Sequence, residues 1–387
     1  MTATPPAPRR QFDLIVIGAG PAGAAAAKVA ADSGLAVALV DKRRFPRHKL
    51  CGGGITGRAL AHYKRIFGNS LPDVPLVRCD TISFQAFGQD LGLTQNVSPL
   101  HLAMRLALDQ HLVDCALHSG AHDFTGQDGT VDPDAPVVHL PDRELAAPII
   151  IACDGVNSPT ARRLFGQPFD RNEIGFALEV ESPLVDDSPV RIDFGAADWG
   201  YGWRFPKTSG TTIGVGGVLS RNADMKGALS KYLDRLGADP ALPVKGQFLP
   251  FGAFRKTPGK GRVLLAGDAA GLVDPITGEG IGHALHSGEL AALAAVRALD
   301  AKTPERALAD YCRSLAPIHR GLGQARMLRM IMFHGRLRPT FIKSFQSSRS
   351  LRGEYFRMMA GDIEYSDLMR HVAKRMPGFA MRAMLRI

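Results

Sequence analysis

The feature that most restricts this chain is a strand–turn–helix–strand run near its beginning. Phe12 to Ile17 is aromatic and β-branched and reads as a buried strand. Gly18, Gly20 and Gly23 follow in GxGxxG spacing within Gly18-Ala19-Gly20-Pro21-Ala22-Gly23. Small residues from Ala22 to Ala31 predict a helix, and Leu35 to Val40 a second strand that ends at Asp41. The three glycines allow, in order, a tight turn, close approach of a pyrophosphate, and close packing of helix on strand. The helix N-terminus offers free N–H groups and a positive dipole to phosphates. Asp41, 18 residues beyond Gly23, can accept hydrogen bonds from a ribose diol and disfavours a 2′-phosphate there. The run therefore predicts a dinucleotide site built from Gly18, Gly20, Ala22, Gly23, Asp41 and Lys42, with NADP disfavoured as its occupant.

Two later segments repeat the pattern of a short buried strand that ends in a polar turn. Ile149 to Ala152 leads into Cys153-Asp154-Gly155-Val156-Asn157-Ser158. Val263 to Ala266 leads into Gly267-Asp268-Ala269-Ala270, then Asp274-Pro275, then Gly278-Glu279-Gly280-Ile281-Gly282 at the start of a helix through Leu299. These segments resemble the DG and GD motifs of flavoprotein hydroxylases and their relatives. Arg105 to Asp109 is similar to the arginine-containing helix of the same group. The resemblance covers about residues 12–300 and implies FAD. It implies that Arg105, Asp154 and Gly155 approach the cofactor, that Asp268 beside Gly267 holds the ribityl chain, and that Gly278, Gly280 and Ile281 face the flavin pyrimidine edge. A helix N-terminus there can stabilise negative charge on a reduced flavin. No second strand–GxGxxG–helix unit follows, since Gly214-Val215-Gly216-Gly217 lies within a strand-like run. The reductant is thus expected to be transient: NADPH, NADH or a ferredoxin-type protein.

Lys49-Leu50-Cys51-Gly52-Gly53-Gly54 follows the basic loop Lys42 to His48. It resembles the cysteine–glycine–glycine loop of geranylgeranyl reductases. Trp199-Gly200-Tyr201-Gly202-Trp203-Arg204-Phe205-Pro206 resembles their YxWxFP motif, with Asp198 where that family often has proline. The chain is identified as a member of the geranylgeranyl reductase family of FAD-dependent oxidoreductases. The resemblance implies that Cys51, Gly52 and Gly53 lie against the flavin. Tyr201 and Trp203 would shape an apolar tunnel beside it, and Cys51, or a water near it, would supply the proton that hydride addition to an isolated alkene requires. The implied activity is saturation of C=C bonds in an isoprenoid, geranylgeranyl-type chain. An FAD monooxygenase or halogenase, and a flavin-containing isoprenoid cyclase, are the competing readings.

The expected fold is α/β. A discontinuous Rossmann-type FAD-binding domain takes residues 10–80, 100–168 and 256–300, an antiparallel β-sheet substrate domain takes 81–99 and 169–255, and a helical region takes 301–387. The strand-like stretches of the substrate domain are Thr81–Phe87, Gly175–Val180, Val190–Phe194 and Thr211–Leu219.

Five cysteines without CxxC spacing argue against a disulfide framework and against a metal site, and fit a reducing cytoplasm. Arg9-Arg10 before an apolar run superficially resembles a twin-arginine export signal, but Asp13 interrupts that run. From His319 to Ile387 the chain carries 14 basic and 4 acidic residues, which equals the whole net charge of +10, together with nine of the 12 methionines. Such a tail reads first as a helical cap with a solvated basic face. It could also touch anionic lipid peripherally or receive an acidic ferredoxin-type donor. No nucleic acid is expected among the partners.

Overall fold

The computed structural model describes residues 9–68, 71, 74–185 and 187–375. Its centre is a six-stranded sheet. In order across the sheet the strands are Gly259–Lys260, Val263–Leu265, Ile149–Ala152, Leu14–Ile17, Val37–Asp41 and His122–Thr125. All neighbours run parallel except the first pair. Leu14–Ile17, Val37–Asp41 and Ile149–Ala152 are buried along their whole length, as parallel strands covered on both faces must be. The chain is thus an α/β protein with a Rossmann-type unit.

The helices along the chain are α1 (Pro21–Asp32), α2 (Gly57–Phe67), α3 (Arg105–His118), α4 (Pro159–Phe165), α5 (Met225–Leu236), α6 (Ile281–Asp300), α7 (Ala307–Ser314), α8 (Ala316–Phe333), α9 (Arg338–Ser347), α10 (Arg349–Ala360) and α11 (Tyr365–Arg375). Helix α1 packs along α6 through small side chains. Ala24 to Ala27 on one helix and Ala291, Ala292, Ala294 and Ala295 on the other are fully buried.

A seven-stranded sheet stands beside this unit, in the order Lys245–Leu249, Gly175–Ser182, Gly210–Val218, Tyr201–Lys207, Val190–Phe194, Ile82–Ala86, Gln89–Thr94. It is antiparallel except where Val190–Phe194 runs parallel to Ile82–Ala86. The parallel pairing is a departure from the expected all-antiparallel sheet. It arises because Ile82–Ala86 joins from far upstream instead of through a hairpin. Two small sheets were not expected from the sequence. One joins Gly54–Ile55, Leu100–Ala103 and Leu76–Cys79, and the other joins Arg9–Gln11 to three short strands between Thr130 and Ala146.

Helices α8 to α11 close over the outer strands of the large sheet. Phe84 and Phe194 pack with Phe345, Tyr355 and Phe356 in one aromatic cluster. The basic, methionine-rich tail is thus helical to Arg375, and its last stretch, with Met376, Met381 and Met384, lies outside the described residues. Among the described residues, no helix is long and apolar enough to cross a membrane.

Where α2 crosses α6, His62 and His286 stack at 4.2 Å. With Glu289 they place donor atoms within 4.8 Å of one another, but Arg65 bonds both carboxylate oxygens of Glu289 and His62 Nδ1. Burial first, then His286 and Arg65, push His62 down to about 3, and burial lowers His283 and His286 as well. The unfolded chain takes up a proton near the ordinary value of 6.5, while the folded His62 ring stays neutral down to about 3. Stability from this site is therefore complete above the ordinary value and falls as pH drops below it. Replacement of His62 by Phe should make the acid-side decline shallower by about one proton, read from thermal midpoints measured between neutral pH and the acid limit of folding.

Candidate functional site

The parallel strands of the six-stranded sheet end at one edge, where Gly18, Asp41, Asp154 and Asp268 emerge. A cavity of about 540 Å³ lies there and runs beneath the seven-stranded sheet. Open α/β sheets place ligands at this edge. Its two ends differ in chemistry.

The first end is lined with charge. Gly18 sits at a φ of +88° against the Cys153 carbonyl, and a methyl group on Gly23 would overlap the Gly18 carbonyl. The turn and α1 can approach this closely only as glycines. Asp41 is buried. It accepts hydrogen bonds from the Ala19 N–H at 2.7 Å and the Arg43 N–H at 2.8 Å, one on each oxygen. Each oxygen keeps a further lone pair for a diol. Arg105 makes a bidentate pair with the fully buried Asp109 at 2.6 and 2.8 Å, and Arg47 adds a contact to Asp109 at 3.3 Å. Burial disfavours the Arg105 charge, but Asp109, with the Cys51 sulfur as second partner, outweighs burial and holds the guanidinium firmly protonated. Lys49 also faces this region; burial lowers its ammonium and Asp268 opposes the shift. Asp154 accepts from the Thr160 N–H on one oxygen, while its other, buried oxygen has no partner.

The other end is apolar. Tyr201, Trp203 and Phe205 lie on one face of the strand Tyr201–Lys207, as residues two apart must. All three line the cavity with Ile192, the cross-strand neighbour of Trp203; Ile82, Leu100, and Phe356 and Met359 of α10 complete the wall. The Tyr201 hydroxyl donates to the Thr277 carbonyl at 2.6 Å, which ties the aromatic strand to the turn before α6. Burial pushes the Tyr201 hydroxyl well up, so it stays protonated.

The Cys51 loop lies between the two ends. Gly53 has a φ of +65°, and a methyl group there would overlap the Ala103 carbonyl. The turn before α6 is braced from several sides. Asp274 accepts from the Ile276 and Thr277 N–H groups at 2.8 Å and from the Tyr365 hydroxyl at 2.7 Å. Glu279 accepts from the Thr56 hydroxyl and from Arg58 at 2.9 Å, and Arg58 reaches Glu364 at 3.2 Å.

Most of the expected residues reach this cavity: Gly18, Gly20 and Ala22 of the turn; Asp41 and Lys42; Cys51, Gly52 and Gly53; Arg105; Asp154 and Gly155; Asp268; Gly278, Gly280 and Ile281; Tyr201 and Trp203. Gly23 and Gly267 do not. Both pack internally; a methyl group on Gly267 would come within 3.0 Å of the Ala22 methyl. Arg47, Lys49, Glu279, Phe356 and Met359 line the cavity without having been singled out from the sequence. Arg47 lay in the basic loop, and Lys49 opened the Cys51 segment. Glu279 sat inside a glycine-rich stretch that drew attention to its glycines. The α10 residues carried no local signal, because only tertiary packing brings that helix to the site.

These residues fit FAD. The turn and the cations Arg47, Lys49 and Arg105 would hold its diphosphate, Asp41 would accept from its ribose diol, and the unpartnered Asp154 oxygen would be open to a donor on it. The fold and this site define an FAD-dependent oxidoreductase, and the FAD-dependent oxidoreductase family model matches residues 13–82. The menaquinone reductase of Mycobacterium tuberculosis is 31% identical over 387 residues, with 92% of each chain covered. The digeranylgeranylglycerophospholipid reductase of Thermoplasma volcanium is 29% identical, with 75% of this chain and 79% of that one covered. The solved structure of a geranylgeranyl bacteriochlorophyll reductase-like protein from Thermoplasma acidophilum superposes with a TM-score of 0.80 at 19% identity, covering 95% and 99%. The flavin-dependent brominase Bmp2 superposes at 0.71 and 16% identity, covering 94% and 99%. The chain belongs to the geranylgeranyl reductase family of FAD-dependent oxidoreductases.

Replacement of Asp109 by Leu would strand the buried Arg105 guanidinium and the partly buried one of Arg47. The expected loss is about 3–5 kcal/mol of stability, measured by urea unfolding, with a matching fall in the FAD retained on purification.

Proposed function

We propose that this protein saturates C=C bonds of an isoprenoid chain carried by a lipid or a prenylated quinone. The observation that carries the reading is the cavity itself, charged where the dinucleotide motifs lie and apolar under the aromatic strand. The names of the relatives, menaquinone reductase and digeranylgeranylglycerophospholipid reductase, support a substrate of this class. Bound FAD supplies the hydride when reduced. The chain's own residues do the rest. Tyr201, Trp203, Phe205, Phe356 and Met359 hold the apolar chain and exclude water. The N-terminus of α6 would offer its N–H groups to the flavin edge. Cys51 stands at the junction of the two ends and is the candidate acid.

The donor is a nicotinamide nucleotide or a ferredoxin-type protein, which anaerobic flavin reduction by NADPH, NADH and reduced ferredoxin would separate. The proposal includes peripheral contact of the basic C-terminal region with the membrane that holds the substrate.

Reduced protein incubated with geranylgeranylated lipids and with menaquinone should yield products that gain one pair of hydrogen atoms per double bond, read by mass spectrometry. Oxygen or halogen incorporation would replace this reading with the monooxygenase or halogenase one. A product isomeric with its substrate would replace it with the cyclase. Cys51→Ala should retain FAD and slow saturation by about 100-fold or more, measured in single-turnover flavin oxidation.

A further inference from the structure

The strand that carries Tyr201, Trp203 and Phe205 places one more side chain on the same face, Lys207. It is buried, as is Glu179 on the strand Gly175–Ser182. Neither lines the cavity; both lie on the same face of the sheet as the rings, beside Trp203 and Phe205. The Lys207 ammonium donates to the Gly52 carbonyl, the residue after Cys51, and stands over the Phe205 ring at 5.9 Å. A methyl group on Gly53 would come within 2.8 Å of the same ammonium. Glu179 accepts from the Trp203 indole N–H at 3.2 Å. Burial pushes the Glu179 carboxyl up to about 7, and Lys207 opposes the shift. Burial lowers Lys207 to about 8, with Cys51, Glu179 and Cys79 favouring its charge. A buried lysine and glutamate cost several kcal/mol to desolvate, so mere packing does not account for them.

We propose that Lys207 is a positioning residue: it clamps the Cys51 loop onto the aromatic strand, and Glu179 balances its charge while fixing Trp203. The clamp sets where Cys51 stands at the junction of the charged and apolar ends. This rests on the reading of Cys51 given above, but its test does not need the substrate.

The test is alkylation of the FAD-loaded protein by iodoacetamide, with the rate at each cysteine read by peptide mass spectrometry. Lys207→Met should raise the rate at Cys51 about tenfold through local opening, while Cys115 and Cys312, far along the chain and half-buried, change less than about twofold. Lys207→Arg, which keeps a cationic donor, should stay within about threefold of the parent. Glu179→Gln keeps an acceptor for Trp203 and removes only the charge; a rise at Cys51 of about threefold is expected. It decides the matter if Lys207→Met does not fold. An unchanged Cys51 rate in a folded variant overturns the clamp, and so does an equal rise at all cysteines. Failure of the parent protein to saturate any isoprenoid, with a selective Cys51 response intact, overturns the functional reading and leaves the clamp standing.

Discussion

The close packing of α1 on α6 is the contact on which this structure depends. The two helices begin at the two halves of the cofactor site, more than 250 residues apart in the chain. They can meet only because their facing surfaces are alanine and glycine. At the tightest point Gly288 lies against the Ala22 backbone, and any side chain there would overlap the carbonyl. This spacing lets the Gly18 turn and the Gly267–Ile281 segment share one cavity. A larger residue on either helix would separate the Gly18 turn from the turn before α6. The small residues stabilise little by area, since a buried alanine removes few methyl contacts from water. Their contribution is geometric.

The same logic explains which parts of the site were legible in the sequence. A turn such as Gly18 to Gly23 is defined by local steric needs, so its spacing survives as a pattern that can be read without the fold. The turns at Asp154 and Asp268 follow short apolar strands and are readable for the same reason. Lys207 and Glu179 are different. Each is one polar residue in a strand, and only the pairing of Tyr201–Lys207 and Gly175–Ser182 with the strand between them brings them together. Phe356 and Met359 are further from legibility still. Their helix has no motif, and its place over the cavity follows from an aromatic cluster assembled from distant segments. The small sheet of Gly54–Ile55, Leu100–Ala103 and Leu76–Cys79 was missed because its strands are two to four residues long and carry little periodicity.

The charges near the site form one connected problem. Asp109 and Arg105 are buried together with the partly buried Arg47 beside them, and neither buried charge is tolerable there alone. The cluster leaves a net positive surface toward the dinucleotide, which suits a diphosphate. The apolar half has its own buried charges, Lys207 and Glu179, which share the face of the rings but do not line the cavity. An apolar chain in the cavity therefore meets rings and aliphatic groups, while the polar groups that hold those rings in place stay satisfied out of its reach.

The C-terminal helices extend this division to the far side of the molecule. The Tyr365 hydroxyl on α11 donates to Asp274, whose other oxygen organises the turn that faces the flavin edge. Glu364 and Glu279 share Arg58, and Ser98 donates to Asp362. The turn between α10 and α11 is thus bonded to three separated segments that also border the cavity. Helix α10, which supplies Phe356 and Met359 to the apolar end, is held by the same bonds that hold the flavin-facing turn. The depth of the apolar end and the shape of the flavin end are consequently set together: a shift of α10 that lengthens the first must strain Asp274 or Glu279 in the second. Arg336, Lys343 and Arg349, exposed basic residues of this region, fall outside that contact network.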